Sequence, residues 1–352
     1  MTKTPAASNI AAQIGGKMSG PRRTRVEASP QFADGKFRNN VPTATGIPLS
    51  AVPRVAAAVF TGGAARRPHQ PVPLVSAAAT DARGLHVTWY GHSTALIEIE
   101  GQRVLLDPVW SERCSPSQLA GPKRLHQPPV ALADLPPVDA VVISHDHYDH
   151  LDMASIQTLA GRPDATIFVV PLGVGAHLER WGVPADRIAE LDWNESTTVG
   201  GLDLVATPAR HFSGRGFSRD ETLWASWVIK GPSRSVFYSG DTGYFPGFAE
   251  IGERHGPFDV TLVQVGAYGD DWADIHMVPE DGVRTHRDVD GGLMIPVHWA
   301  TFDLAAHDWS EPAERTWREA KARDIRLAIP RPGQRVDVDS PPEIDAWWQQ
   351  VA

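Results

Sequence analysis

Ser144-His145-Asp146-His147-Tyr148-Asp149-His150-Leu151-Asp152 closes the apolar run Ala140 to Ile143 and leads into a helical stretch, Leu151 to Ala160. A short apolar run bounded by polar residues reads as a buried strand, so the motif occupies a strand end, where functional groups collect in α/β proteins. Neutral imidazole and carboxylate are the nitrogen and oxygen ligands of zinc and related ions. Alternation lets His145 and His147 point the same way from an extended turn, while Asp149 and His150 face a second position nearby.

Three further residues stand where other predicted strands end. His211 follows Leu202 to Ala206, Asp241 follows Ser235 to Ser239, and His298 follows Leu293 to Val297. The recurrence makes all three candidates for the same centre. Around them the chain reads as short strands (His86 to Tyr90, Thr94 to Glu100, Arg103 to Asp107, Asp139 to Ser144, Thr166 to Val170, Leu223 to Lys230, Val260 to Val265). Helices are predicted at Val174 to Trp181 and after Pro246, Pro279 and Pro312. Antiparallel strands followed by strand–helix alternation predict an α/β sandwich of two mixed sheets with helices outside.

The 352 residues carry a net charge of −9, unevenly spread. Residues 1–80 hold ten Lys/Arg against Glu27 and Asp34, a net +8, which leaves −17 for the rest. That division predicts a basic, Pro/Ala/Gly-rich arm over 1–84, extended and partly ordered at Phe32 to Pro42, and a compact domain over 85–352. An acidic body argues against a nucleic-acid partner, whose affinity rests on basic stripes. The run Ala51 to Phe60 is broken by Pro53 and Arg54, short of the ~18 apolar residues of a membrane span. Arg22-Arg23 is followed by no apolar signal core, so a cytoplasmic location is expected, with the arm as a candidate peripheral contact to the inner face of the membrane. The single Cys114 excludes an intramolecular disulfide and a multi-cysteine zinc site.

The ordered series His145, His147, Asp149, His150, His211, Asp241, His298 resembles the ligand-bearing loops of the metallo-β-lactamase superfamily. A closer similarity lies in Asp107-Pro108-Val109-Trp110, Gly121-Pro122-Lys123-Arg124, His211-Phe212-Ser213-Gly214-Arg215-Gly216, Gly266-Ala267-Tyr268, His276-Met277-Val278-Pro279-Glu280 and His298-Trp299-Ala300-Thr301-Phe302. These strings resemble the N-acyl-phosphatidylethanolamine-hydrolysing phospholipase D branch and its bacterial relatives. The resemblance implies an αββα four-layer sandwich and two metal ions: zinc first, iron or manganese as alternatives. By it, His145, His147 and His211 hold one ion, Asp149, His150 and His298 the other, and Asp241 bridges them. Asp149 and Asp241 then join the catalytic machinery, and His276 contacts substrate or leaving group.

Two divalent ions sharing a water lower its pKa toward ~7 and make it a nucleophile without a protein nucleophile. With Asp149 and Asp241 the only formal negatives, the loaded centre keeps about +2 and attracts an anion. A metal-bridging hydroxide cleaving a phosphodiester, in a phospholipid or a small soluble molecule, is the expected reaction. A lactonase or other ester or amide hydrolase is the enzymatic alternative, and a non-catalytic metal-containing lipid- or partner-binding protein the other. Ser144, Asp146, Thr242 and His92 are the nearest candidates to orient ligand rings, and Arg210, Arg215, Lys123 and Arg124 are the cations available to clamp a phosphate. Trp110, Trp224, Trp227, Trp272, Trp299 and Trp309 flank the motif loops and suggest an apolar trough or core packing. His69, His86, His126, His177, His255, His286 and His307 have no ligand-like context. Oligomeric state is left open.

Overall fold

The computed structural model describes residues 10–46, 53, 66–76, 82–216 and 218–352. Apart from Pro53, the run Ala51 to Phe60 lies outside them. The N-terminal region contributes α1 (Ile10–Gln13), α2 (Gly20–Glu27) and a hairpin of β1 (Phe32–Ala33) with β2 (Lys36–Phe37). Helix α2 was not expected, because Val26 is its only buried residue and leaves no apolar period to read. Its cations hold it instead. Arg22 pairs with Glu179 at 2.7 Å and with Glu190, and Arg25 with Glu195 at 2.6 Å, so part of the arm's positive charge is spent on the acidic body.

Two seven-stranded sheets form the centre, and one construction is used twice. The first contains β3 (Leu85–Gly91), β4 (Thr94–Ile99), β5 (Gln102–Leu106), β6 (Ala140–Val142), β7 (Ile167–Pro171) and β8 (Ile188–Leu191), antiparallel through β5 and parallel from β5 to β8. Helices α3 (Met153–Ala160) and α4 (Gly175–Arg180) cover its outer face. The second contains β9 (Ser196–Val199), β10 (Leu202–Thr207), β11 (Ser226–Lys230), β12 (Ser235–Tyr238), β13 (Phe258–Gln264), β14 (Gly291–Val297) and β15 (Arg326–Leu327). It is antiparallel from β9 to β12 and parallel beyond, with α5 (Gly247–His255), α6 (Pro279–Asp288) and α7 (Glu311–Ala322) outside. Strand β16 (Arg335–Asp337) returns to pair with β3, and α8 (Trp347–Val351) ends the chain. This is the metallo-β-lactamase fold in four layers.

Strand alternation explains why both faces of the first sheet are dry. Val104, Leu106, Ala140 and Val142 point into the core shared with the second sheet, while Leu105, Val141 and Ile143 point to α3 and α4 with Ile156, Leu159 and Leu178. Helix α3 starts two residues later than predicted because the Asp152 carboxylate accepts the Ala154 N–H and caps it. The predicted strand Leu223 to Lys230 begins only at Ser226. Before it the chain crosses between the sheets, Leu223 N–H donating to Leu172 O and Ala225 N–H to Ser144 O. The strands β8, β9, β15 and β16 escaped prediction, being short, at or near sheet edges, and partly polar.

The tryptophans answer to packing. Trp224, Trp227, Trp299 and Trp309 are buried in the main core, where Trp299 stacks between Trp89 and Trp347. Trp110 and Trp272 are partly buried, and the Nε1 of each donates to a backbone carbonyl. They form no common trough.

Candidate metal centre

Because the parallel strands of both sheets run in register, their C-terminal ends deliver loops to one edge of the sandwich. The motif after β6 meets His211 after β10, Asp241 after β12 and His298 after β14. All seven candidate side chains converge there. His145, His147 and His211 offer ligand atoms within 4.8 Å of one another, as do Asp149, His150 and His298 together with His92. Asp241 lies between: its Oδ2 is 4.0 Å from the Nε2 of both His145 and His211, 3.1 Å from that of His150 and 3.0 Å from that of His298.

The outward ring nitrogens of His145, His150 and His211 are tied down, whereas the buried Nδ1 of His298 has no partner. His211 Nδ1 lies 3.0 Å from Ile275 O, and His145 Nδ1 2.9 Å from Ser144 Oγ. His150 Nδ1 is 2.6 Å from Asp107 Oδ2, and Asp107 also accepts from Ser144 N–H at 2.7 Å, Ser144 Oγ at 2.5 Å and Tyr238 Oη at 2.5 Å. Asp107 and Tyr238 were missed as orienting groups. The signal was present for Asp107, which also stands at the C-terminal end of a strand, β5; Tyr238 carried none, since it reads as an ordinary core residue.

Among the buried atoms without partners at this crowded centre, three face the space between the ligand groups. His150 Nε2, His298 Nε2 and Asp241 Oδ1 make no hydrogen bond, the two nitrogens lying off the N–H···O line to Asp241 despite the short separations. An unsatisfied buried polar atom costs about 1–3 kcal/mol, so three converging on one space fit a missing positive partner. Nitrogen and carboxylate oxygen suit zinc, and suit iron and manganese too.

Burial pushes His145, His147 and His211 below the ordinary imidazole range, His145 and His211 far below it. For His298 burial acts in the same direction but is outweighed by Asp241 and Asp149, which leave it raised to about 9, and His150 is likewise raised. Burial of Asp149 and Asp241 is in turn outweighed by His150 and its neighbours, so both carboxyls sit well below their usual range. Burial dominates in one group of three rings, and the nearby carboxylates dominate in the other.

The remaining expectations divide. His276 closes on the centre, its ring 5.2 Å from that of His211 and 5.3 Å from that of His298, and its buried Nδ1 has no partner. Burial pushes His276 down to about 4. Asp146 and Thr242 hold loops, not rings: Asp146 accepts Gly214 N–H at 2.7 Å and Thr222 Oγ1 at 2.9 Å, and Thr242 Oγ1 accepts Arg210 N–H at 2.9 Å. Each of the four cations offered as a phosphate clamp has partners within the protein. Arg215 is buried against Tyr148 and Trp181 and donates to Asp146 O and Leu151 O. Arg210 pairs with Asp274, Lys123 with Glu112, and Arg124 donates to Val109 O beneath Phe302.

A family profile described as "Beta-lactamase superfamily domain" matches residues 102–299. The chain belongs to the metallo-β-lactamase superfamily. This hydrolase is 53% identical over 333 residues to "Uncharacterized protein Rv0906" of Mycobacterium tuberculosis, covering 93% of this chain and 89% of that one. It is 36% identical over 253 residues to "N-acyl-phosphatidylethanolamine-hydrolyzing phospholipase D 1" of Caenorhabditis elegans, covering 68% of this chain and 71% of the relative. The metallo hydrolase Igni18 of the archaeon Ignicoccus hospitalis shares its fold, with a TM-score of 0.55 at 22% identity over 72% of this chain and 97% of the other. The hydrolase is thus a metal-dependent member of the superfamily, and the likeness to the phospholipase D branch read from the motif strings extends over two-thirds of the chain. No helix among the described residues is long and apolar enough to cross a membrane.

Proposed function

We propose that the chain is a dinuclear zinc phosphodiesterase whose substrate is a phospholipid of the N-acyl-phosphatidylethanolamine kind or a soluble glycerophosphodiester. The observation that carries this reading is the shared position between the two groups of ligands, filled by the carboxylate of Asp241 within 3.0–4.0 Å of four imidazoles. His145, His147 and His211 would hold one ion, Asp149, His150 and His298 the second, with Asp241 common to both. Ions bound there supply Lewis acidity toward a phosphoryl oxygen and a water acidic near neutral pH.

The chain's own part is to fix the donors and to receive the substrate. Ser144, Ile275 and Asp107 set the ring orientations. His276 stands over His211 and Asp241 with an unbonded ring nitrogen, placed to bond a substrate or leaving-group oxygen. Beside Asp149, the apolar group Val109, Cys114 and Phe302 with Tyr148 and Leu304 gives that side of the centre a dry wall. The similarity to the nematode phospholipase D supports the substrate class.

The test is metal content of the purified protein combined with kcat/KM on bis(p-nitrophenyl)phosphate, an N-acyl phosphatidylethanolamine and a panel of lactones. Two ions per chain and preference for phosphodiesters support the reading. A protein that prefers lactones is a carboxylic-ester hydrolase, and a metal-free protein with full activity ends the metal reading altogether.

A further inference from the structure

His92 is the one member of the second group that stands outside the seven-residue series. It lies in the turn between β3 and β4, is 1% exposed, and has φ +53°, a left-handed backbone that costs a non-glycine residue about 1 kcal/mol or more. His298 is also left-handed, at φ +67°, and the two are joined directly: His298 N–H donates to His92 O at 2.8 Å. The same carbonyl accepts Trp89 Nε1–H at 2.7 Å, and His92 N–H donates to Thr301 Oγ1 at 2.6 Å. The neighbouring Trp89 and one distant segment, His298 to Thr301, hold this turn in a strained conformation, and its side chain is what the strain aims.

The His92 ring packs 4.0 Å from the His298 ring and edge-on to Phe302 at 5.2 Å. Its Nε2 reaches Asp149 Oδ2 at 2.9 Å, and that same oxygen is 3.4 Å from His298 Nε2 and 3.5 Å from His150 Nε2. A carboxylate oxygen has two lone pairs. The geometry points to His92 as a positioning residue for the second ion only: its Nε2–H donates to one lone pair of Asp149 Oδ2 and turns the other toward the space between His150 and His298. His92 falls in the group of Asp149, His150 and His298 and not in that of His145, His147 and His211. This inference rests on the dinuclear reading above.

Metal retention tests it without reference to turnover. The full chain is stripped with a chelator, reloaded with zinc, and titrated against a competing chelator, counting ions per chain. Wild type retains two. His92→Ala keeps the first ion at wild-type affinity and holds the second about 10–100-fold more weakly. Asn tolerates the left-handed backbone, but its amide ends near the Nδ1 position, so His92→Asn behaves like the alanine variant. The Gln amide reaches the Nε2 position, and His92→Gln restores most of the loss. Should the alanine variant not fold, the Asn and Gln pair alone makes the comparison, because one spares the backbone and the other spares the hydrogen bond. Undiminished retention of the second ion in His92→Asn, or a Gln variant as weak as Asn, overturns the role of His92. A wild-type chain retaining fewer than two ions overturns the dinuclear reading and this one with it.

Discussion

The two halves of the centre reach the same end by different physics. His145, His147 and His211 form a group without a carboxylate of its own, burial lowering the pKa of each ring, with His145 held from behind by Ser144 and His211 by the Ile275 carbonyl. His150 and His298 crowd the Asp149 carboxylate and stand closer to Asp241, His150 being backed by Asp107 and Asp149 by His92. The first half is organised by desolvation and by neutral hydrogen-bond partners, a hydroxyl and a backbone carbonyl, the second by carboxylates. Asp241 is where they meet, so changes there strike both while other changes separate them.

Asp241→Asn removes the charge common to both groups, and kcat/KM is expected to fall on the order of 10³-fold with loss of both ions at micromolar free metal. Retention of one ion at wild-type affinity would break the idea of a shared bridge. His147→Ala and His298→Ala should each lower turnover on the order of 10²-fold while emptying different positions. Loading each variant with cobalt and comparing its visible spectrum distinguishes the remaining site, and identical spectra would contradict the division. Asp107→Asn acts one step away, costing about 10–100-fold in affinity for the second ion, through its direct bond to His150, and less for the first, which it reaches only through Ser144 and His145. It also places an amide donor among donors, so a lower unfolding midpoint accompanies it.

The smallest effect serves as the outside reference. His286 lies on the buried face of α6, its Nδ1 is 2.7 Å from Thr261 Oγ1, and it is pushed down to about 4 by burial. The unfolded chain takes a proton there near pH 6.5 and the folded chain does not, so stability present above pH 6.5 is lost as pH falls toward 4, by at most about 3 kcal/mol. Urea unfolding at pH 7 and pH 4.5 should show a smaller acid loss in His286→Gln than in wild type. That difference is expected to be the same in metal-loaded and stripped protein, since His286 belongs to neither half.

Much of this was legible before the fold was known. The strand ends before His145, His211, Asp241 and His298 could be read because apolar runs stop abruptly at polar residues, and that boundary survives folding. The partners of Arg210, Arg215, Lys123 and Arg124 were not legible, because a sequence does not say which carbonyl or carboxylate a cation will find. Helix α2 was invisible for the same reason, its packing coming from ion pairs with Glu179, Glu190 and Glu195 more than 150 positions away.

Residue type and local spacing determined the strands, the loop positions and the chemistry on offer, since these depend on neighbours within a few residues. Only the tertiary structure decided that Asp241 stands between the two groups, that Asp107 and Tyr238 lock His150, and that His92 reaches Asp149. Each of those is a contact between segments separated along the chain, and hydrogen bonds a few ångströms long exist only once two packed sheets have brought their strand ends to one edge.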